Sequence, residues 1–215
     1  YPRPHMPSYQ QRIKTDISGF QIIYFCSSES IISIDKVSDQ KKIKNALISV
    51  FYHGHPVVDS SNWGGFYFSG NYAYNLGVGF QAHPQCFGRA WFPCVDNFVQ
   101  HSTYTFNITV PTGKMAVCNG YLFSHNINGN GTDTWSWQQD TVMVTYLACV
   151  AVADYTPVYN QFISIVSGDT IPVQLTARSS DTLAMKNYLT NLHSAFNGFE
   201  QCWGAYKWNK VGYSF

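Results

Sequence analysis

The sequence predicts a mainly β fold, a large antiparallel twisted sandwich or saddle that is followed by one C-terminal α-helix. Three observations predict it. Residues 102–110 alternate strictly between apolar and polar side chains, which is typical of a strand in a sheet with one solvent-facing side. Short apolar runs recur between turn-forming residues over most of the chain. From Asp181 onward, apolar residues recur at spacings of three and four, which indicates an amphipathic helix.

The N-terminal part of the chain has the weakest pattern. Residues 1–17 are polar, contain proline and show no periodicity, so we expect an extended or poorly ordered entry. Apolar runs at 20–25, 30–34 and 46–53 then predict three strands. The glycines of the aromatic-rich stretch 63–80 predict strands with bulges or close backbone approach.

An Asn119-Gly120 pair separates two apolar runs, at 115–118 and 121–124. Asn-Gly in this position predicts a tight β-hairpin in which both residues adopt positive φ. A further turn is expected at 126–132, where glycine and asparagine cluster. The remaining strands are predicted at residues 135–139, 142–153, 158–166 and 171–177.

The C-terminal helix is predicted to begin at Asp181, a residue type that favours the N-cap, and to stop at Gly204. Its apolar stripe consists of Met185, Leu189, Leu192, Phe196, Phe199 and Trp203. The change from strand to helix period predicts a division of the chain. We expect an all-β N-terminal domain at 1–178 and the beginning of a second domain at 179–215.

Composition excludes several classes of partner. Charged residues are 12% of the 215-residue chain, about half the usual share, and the net charge is +1 with no block of like charges. This argues against a nucleic-acid surface or a polybasic membrane patch. No apolar run approaches the ~20 residues of a membrane span. Low charge with many Asn, Ser, Thr and Tyr residues favours a periplasmic or secreted location.

The six cysteines include no Cys-x-x-Cys pair, so no zinc site with that spacing is predicted. Cys94, Cys118 and Cys149 lie in apolar strand-like segments, and we expect mostly free, buried thiols. His53-x-His55 places two imidazoles on one side of a strand, but no third ligand is evident nearby, so no metal site is predicted.

The most informative motif is an Arg-x-x-Phe-Pro-Cys-x-Asp run formed by Arg89, Phe92, Pro93, Cys94 and Asp96. A strand and then Asn-Gly follow it. This arrangement resembles the N-terminal domain of zinc aminopeptidases of the aminopeptidase N (gluzincin) family. The resemblance extends to Gly-Gly-Phe-Tyr at 64–67, Gly-Phe-Gln-Ala at 79–82, Tyr-Leu-Ala at 146–148, and Phe-Glu-x-x-x-Gly-x-Tyr at 199–206 with Lys210.

The resemblance implies the N-terminal, substrate-cleft-forming part of a zinc metallopeptidase, a hydrolase that removes residues from peptide amino termini. In that family the zinc ligands and the general base lie in the next domain, within His-Glu-x-x-His, which is absent from these 215 residues. Residues 179–215 would be the start of a truncated catalytic domain. The implied chain holds no cofactor and is inactive alone, whereas zinc, a peptide substrate and the remaining catalytic domain belong to the full-length protein.

Gln81 and Ala82 are the residues that the resemblance assigns to substrate binding. An amide oxygen accepts a hydrogen bond from a substrate ammonium without adding a charge that competes for zinc. Gln85 is a rival for this role, because residues 83–87 form a longer segment before Arg89 than the family usually has. We expect structural roles for the remaining motif residues, which are Arg89, Phe92, Pro93, Cys94, Asp96, Asn119 and Gly120.

An alternative is an exported β-sandwich that binds carbohydrate or protein. The aromatic stretch 63–80 could stack on sugar rings, although aromatic residues also favour strands for packing reasons. Asn107-Ile-Thr109 and Asn130-Gly-Thr132 match the N-glycosylation acceptor pattern, which often occurs by chance. No nucleophile elbow, phosphate loop or pair of facing carboxylates is evident, so no catalytic residue is predicted in this chain.

Overall fold

A computed structural model describes residues 12–13, 48–50, 52, 54–80, 83 and 85–215. Within these residues the chain is mainly β, which confirms the predicted fold class. The predicted strands at 20–25 and 30–34 lie outside the described residues. The strands are β1 (Arg12–Ile13), β2 (Ile48–Ser49), β3 (Gly64–Ser69), β4 (Tyr72–Gly77), β5 (His101–Pro111), β6 (Met115–Cys118), β7 (Tyr121–Ile127), β8 (Thr132–Val144), β9 (Val150–Ala153), β10 (Tyr155–Ile163), β11 (Thr170–Arg178) and β12 (Val211–Ser214).

The strands pair in small sheets. One has the order β3-β4-β9-β6 and a second has the order β5-β8-β7, both antiparallel. The third has the order β10-β11-β12, in which β12 is parallel to β11. Strands β1 and β2 pair with each other. The helices of the described chain are α1 (Thr182–Tyr188) and α2 (Leu192–Trp203), and neither is long and apolar enough to cross a membrane.

The first hydrophobic core lies between the β3-β4-β9-β6 and β5-β8-β7 sheets. The apolar residues that alternate along β5 are all buried, as the period of two predicted; they are Tyr104, Phe106, Ile108 and Val110. Trp137 of β8 is 1% exposed and donates from Nε1 to the carbonyl of Ala116 in β6. Burying an aliphatic or aromatic side chain contributes about 1.5–3 kcal/mol, so each of these buried residues stabilises the sandwich.

The prediction of a hairpin at Asn119-Gly120 is wrong. Strand β6 pairs with β9, whereas β7 pairs with β8, so the turn carries the chain from one sheet to the other. Gly120 has φ of 78°, but Asn119 does not adopt positive φ. The reason is a set of long-range contacts: a Cβ at Gly120 would lie 1.9 Å from the carbonyl oxygen of Gln138. The tight β-turn tip lies instead between β7 and β8, at the predicted turn 126–132.

The predicted strand 142–153 is also interrupted. Strand β8 ends at Val144, residues 145–147 form a 3₁₀ turn, and β9 begins at Val150 in the other sheet. An apolar run cannot distinguish one buried strand from two short ones that change sheets.

The C-terminal helix is two helices rather than one. Residues 189–191 separate α1 from α2, where the Thr190 hydroxyl donates to the carbonyl of Asn187 at 2.7 Å and competes with helical hydrogen bonding. Asp181 precedes α1 but makes no capping hydrogen bond to it. Gly204 ends α2 with φ of 87°, as expected of a helix stop.

A second hydrophobic core joins the β10-β11-β12 sheet to both helices. Its buried members are Phe162, Ile171, Val173, Leu175, Ala177, Met185, Phe196 and Val211. Four residues of the predicted helical stripe pack here, whereas Phe199 and Trp203 are exposed and stack on each other with ring centroids 5.2 Å apart. The predicted division at residues 178 and 179 passes through this core and stays a prediction.

Candidate functional site

The candidate site is the segment 78–86 between β4 and Arg89, which we call the loop 78–86 and of which the structure describes residues 78–80, 83, 85 and 86. Its base is closed by a hydrogen bond from the Phe87 N–H to the carbonyl of Gly77, at 2.8 Å. Phe80 and Gln85 on this loop are exposed. Gln81 and Ala82, the predicted substrate-binding residues, lie outside the described residues, so their role stays a prediction.

Glycines let the base of this loop pack against a neighbouring turn. A Cβ at Gly77 would lie 1.7 Å from the carbonyl oxygen of Tyr146, and a Cβ at Gly88 would lie 3.2 Å from Tyr146 Cα. The turn that contains Tyr146 is itself fixed, because the Thr145 hydroxyl donates to the carbonyl of Val95 at 2.8 Å. The Tyr-Leu-Ala segment of the sequence motif therefore supports the loop from a 3₁₀ turn rather than from a strand.

Arg89 and Asp96 form an ion pair below the loop. Arg89 Nη1 lies 2.8 Å from Asp96 Oδ2, and the Arg89 backbone N–H donates to the same oxygen at 3.1 Å. Nη1 also donates to the carbonyl of Cys86, and the Cys86 thiol donates to the Asp96 carbonyl. The Asp96 side chain is 3% exposed. The pair therefore holds the end of the loop to the segment that leads into β5.

The other residues of the Phe-Pro-Cys run pack into the interior. Phe92 is buried in the first core and contacts the ring of Trp91, with centroids 4.6 Å apart. Pro93 is half-buried. Cys94 packs against the same core, and burial, followed by the charge of Asp96, raises the pKa of its thiol well above the usual value. A neutral, enclosed thiol is a packing group and a poor nucleophile.

Asn119 and Gly120 also serve as anchoring points. The Asn119 side chain donates from Nδ2 to the carbonyl of Leu147 at 3.1 Å and accepts from the Cys149 N–H at 2.6 Å. Both bonds lock the β6–β7 crossover to the turn that follows β8. The Asn119-Gly120 pair is thus part of the same supporting structure as Tyr146.

Sequence reasoning did not assign a role to Lys210. Its ammonium group donates to the carbonyl of Cys118 at 2.6 Å and to that of Gly120, and it lies 4.0 Å from the centroid of the Trp137 ring. Burial lowers the pKa of Lys210 to about 8. No local signal could reveal these contacts, because the partners lie about 90 residues earlier in the chain.

An exposed aromatic pair flanks the loop. Trp63 and Phe80 contact each other edge to face with centroids 5.9 Å apart, and they are 62% and 55% exposed. These rings belong to the aromatic stretch that suggested a sugar-binding platform. Phe66 of the same stretch is buried and contacts Trp91, so the stretch serves packing as well as surface.

The described residues contain no group of three or more His, Cys, Asp or Glu side chains that could hold a metal ion. His55 is exposed, and His53 lies outside the residues that the structure describes. Cys94, Cys118, Cys149 and Cys202 are free thiols in this structure.

Solved structures with the same fold include an M1 zinc metallopeptidase and an aminopeptidase. An M1 zinc metallopeptidase from Deinococcus radiodurans, solved as a mutant with a Tyr-Ser-Ala substrate, has 16% identity and a TM-score of 0.62, covering 77% of this chain and 37% of its own. Legionella pneumophila aminopeptidase A in complex with aspartic acid has 16% identity and a TM-score of 0.60, covering 73% of this chain and 18% of its own. At such identities the likeness establishes the shared fold.

The chain therefore spans less than two fifths of the length of these structures. No curated protein sequence matches it. The alternative interpretation as a carbohydrate- or protein-binding module is not favoured, because the family match is to a peptidase domain and the similar solved structures are peptidases. The model of the peptidase M1 N-terminal domain family matches residues 27–147, more than half of the chain and including the whole Arg-x-x-Phe-Pro-Cys-x-Asp run. The chain belongs to the peptidase M1 N-terminal domain family.

Proposed function

We propose that this chain supplies the substrate-side wall of a zinc metallo-aminopeptidase and performs no hydrolysis by itself. The observation that carries the proposal is the family match over residues 27–147, which includes the loop 78–86. The D. radiodurans relative with a bound Tyr-Ser-Ala substrate supports a peptide as the substrate class.

Gln81 would bind the free amino group of the peptide, next to Ala82. A hydrogen bond from an ammonium group to an amide oxygen contributes about 1.5–3 kcal/mol when it is well made. The anchored base of the loop supports this role, because a substrate-binding side chain needs a fixed backbone. The Phe87–Gly77 hydrogen bond, the Tyr146 turn and the Arg89–Asp96 pair provide three such anchors.

Zinc is proposed for the full-length protein only. The structural neighbours are zinc metallopeptidases, but the described residues of this chain offer no set of side chains that fits a zinc ion. The ligands would lie in the catalytic domain that relatives place after this one, and this chain would neither bind the metal nor activate water.

The domain division is best proposed between β9 and β10. Strand β9 belongs to the first core, and most of β10, with β11, β12 and both helices, belongs to the second, whereas Tyr155 at the start of β10 packs against the first core. Only Asp154 lies between the two strands. The proposed boundary therefore lies at residue 154, whereas the sequence pattern predicts it between residues 178 and 179; the order of the domains is the same in both.

The gene provides the first test. Reading it beyond the codon for Phe215 should reveal His-Glu-x-x-His within the length of one domain. A stop codon or an unrelated module there would contradict the proposal. This chain, mixed with excess zinc, should show no chelator-sensitive hydrolysis of aminoacyl chromogenic substrates, and measurable turnover would contradict the proposed division of labour.

The second test is made in the longer protein. Gln81→Ala should raise KM roughly 10- to 150-fold, the factor that corresponds to one hydrogen bond to a charged group. Gln85→Ala is the matched control on the same loop and should leave KM close to wild type. The reverse ranking would transfer the substrate-binding role from Gln81 to Gln85.

A further inference from the structure

The chain contains four Asn-Gly pairs, which begin at Asn119, Asn128, Asn130 and Asn197. An asparagine followed by glycine is chemically reactive, because no side chain shields the glycine nitrogen from the asparagine amide carbon. In an unfolded chain the four pairs are nearly equivalent. The folded structure places them in very different surroundings, and this difference predicts which one reacts.

Two of the pairs are held in place. The Asn119 amide is bound at both ends, by the carbonyl of Leu147 and the N–H of Cys149. Asn197 lies inside α2, and its Oδ1 atom is buried. Helical geometry keeps the following nitrogen away from the side-chain carbonyl, because that nitrogen points back along the helix axis. Neither pair can reach the geometry of attack without local unfolding.

Asn128 is partly held. Its Nδ2 atom donates to the hydroxyl oxygens of Thr132 and Thr134, each at 3.0 Å. The side-chain nitrogen that would have to leave is therefore hydrogen-bonded to β8. The backbone N–H of Asn128 also donates to the carbonyl of Thr132. The bonds at Asn128 stabilise the unreacted amide.

The hydrogen bonds at Asn130 have the opposite effect and favour the reaction. It is exposed at the tip between β7 and β8, and its Oδ1 atom accepts from the Thr132 hydroxyl at 2.6 Å and from the Thr132 N–H at 3.2 Å. Two donors on this oxygen polarise the amide carbonyl, and they would bind more strongly to the negative charge that attack at Cγ places on it. No other Asn-Gly pair among the described residues has two donors on its amide oxygen.

The attacking group is also accessible. Gly131 has φ of 81°, and a Cβ built on it would meet nothing within 4 Å. Its carbonyl accepts from the Thr112 N–H, which fixes the residue in the tip, whereas no acceptor in the described part of the chain engages its own N–H. Solvent can therefore remove the proton that must leave before this nitrogen attacks.

We propose that Asn130 is a self-modification site. The Gly131 nitrogen loses its proton to solvent and forms a bond to Asn130 Cγ, the Cγ–Nδ2 bond breaks, and the nitrogen leaves as ammonia after it takes up a proton. The product is a five-membered succinimide. Water then opens either C–N bond of the ring and leaves aspartate or isoaspartate at position 130. No oxidant, reductant or enzyme is required.

The modification changes the tip in two ways. One carboxylate replaces a neutral amide, so the net charge of the chain falls from +1 to 0. The isoaspartate product also adds one carbon atom to the main chain between β7 and β8. The proposal does not rest on the proposed peptidase role, because none of the contacts that carry it involves the loop 78–86.

The test is timed incubation of the whole chain at mildly alkaline pH, followed by proteolysis and mass spectrometry with electron-transfer fragmentation, which distinguishes aspartate from isoaspartate. Conversion at Asn130 should be at least several-fold faster than at Asn119, Asn128 or Asn197. In denaturant the four rates should converge. Equal conversion rates at Asn130 and Asn119 in the folded chain would overturn the proposal. Differences among the four rates that stay the same in denaturant would also overturn it.

Thr132→Val tests the two-donor arrangement, because it removes the hydroxyl and keeps the backbone N–H. The rate at Asn130 should fall about fivefold, the factor expected for one hydrogen bond. Thr112→Val is the matched control, since its hydroxyl donates to Asp133 at the base of the same tip without touching Asn130. An unchanged rate in Thr132→Val, or an equal fall in Thr112→Val, would contradict the proposal.

Discussion

The ammonium group of Lys210 lies against the face of the Trp137 ring, 4.0 Å from its centroid. Trp137 belongs to the first core, whereas Lys210 immediately precedes β12 of the third sheet. The same nitrogen donates to two carbonyls of the β6–β7 crossover, those of Cys118 and Gly120. The Lys210 side chain therefore connects the start of β12, where Val211 lies in the second core, to Trp137 of the first core.

The pH dependence of stability should report this contact. Burial lowers the pKa of Lys210 from 10.5 to about 8, so between these values the unfolded chain binds more protons than the folded one. Stability contributed by this group therefore rises with pH across that window, by about 2–4 kcal/mol in total. When the free energy of unfolding is measured with urea across this pH window, it should rise less steeply with pH in Lys210→Met than in wild type.

The pH profile of Lys210→Met must be subtracted from that of wild type, because buried thiols and phenols change stability with pH in the opposite direction. Burial raises the pKa of Cys118 and of Tyr206, so these groups lower stability as pH rises. Lys207→Met, at an exposed lysine of the same segment, is the control and should keep the wild-type slope. If Lys210→Met and wild type have parallel pH profiles, Lys210 does not titrate as described.

Removal of the Asp96 carboxylate should destabilise the protein. Asp96→Ala leaves the Arg89 guanidinium without its carboxylate beside a largely buried site, and we expect a loss of about 2–3 kcal/mol in the free energy of unfolding. Thermal unfolding of Asp96→Ala, Arg89→Ala and the double variant measures the coupling. Additive effects of the two substitutions would show that the ion pair contributes nothing.

Gly77→Ala tests the close packing at the base of the loop. The new Cβ would lie 1.7 Å from the Tyr146 carbonyl oxygen, and both atoms belong to fixed backbone, so the cost should reach the upper end of overpacking, about 3 kcal/mol. Gly198→Ala is the matched control, because it lies within α2 with nothing near its Cβ, and it should stabilise by about 0.5–1 kcal/mol. Similar melting temperatures for the two variants would contradict this description.

Glu200 should control stability at acid pH. Burial raises the pKa of its carboxyl group, but hydrogen bonds from the N–H of Tyr206, the hydroxyl of Ser164 and the N–H of Ile165 outweigh it and lower the pKa below its usual value. The stability that Glu200 contributes is therefore present above the unfolded pKa and is lost as pH falls through the folded one.

Denaturant midpoints measured on acidification test this role. Glu200→Gln should lower stability at neutral pH and should remove part of the loss on acidification. Asp181→Asn, at an exposed carboxylate before α1, should leave both unchanged. A Glu200→Gln profile that falls as steeply as wild type would rule out Glu200 as a source of the acid sensitivity.

Local patterns were sufficient for much of the fold. The alternation along β5 predicted its buried face residue by residue, because side chains on a strand point to opposite sides in turn. Gly204 marked the end of α2 for a comparable local reason. The interruption at Thr190 was not predicted, since an apolar stripe can continue across two helices that pack on one surface.

The candidate site was only partly predictable. The motif identified Arg89 and Asp96 as structural residues, and the structure shows that the two form an ion pair. The support from Tyr146 and Lys210 was not predictable, because these contacts join segments that are distant in the chain.

The sequence by itself determined the mainly β class, the terminal helical segment and the family, because residue period and a contiguous motif are properties of short segments. Only the tertiary structure decided which sheet each strand joins, that Asn119-Gly120 crosses between sheets, and which asparagine amide is held or exposed. These outcomes depend on backbone groups supplied by remote parts of the chain, as when Lys210 reaches a carbonyl 92 residues away.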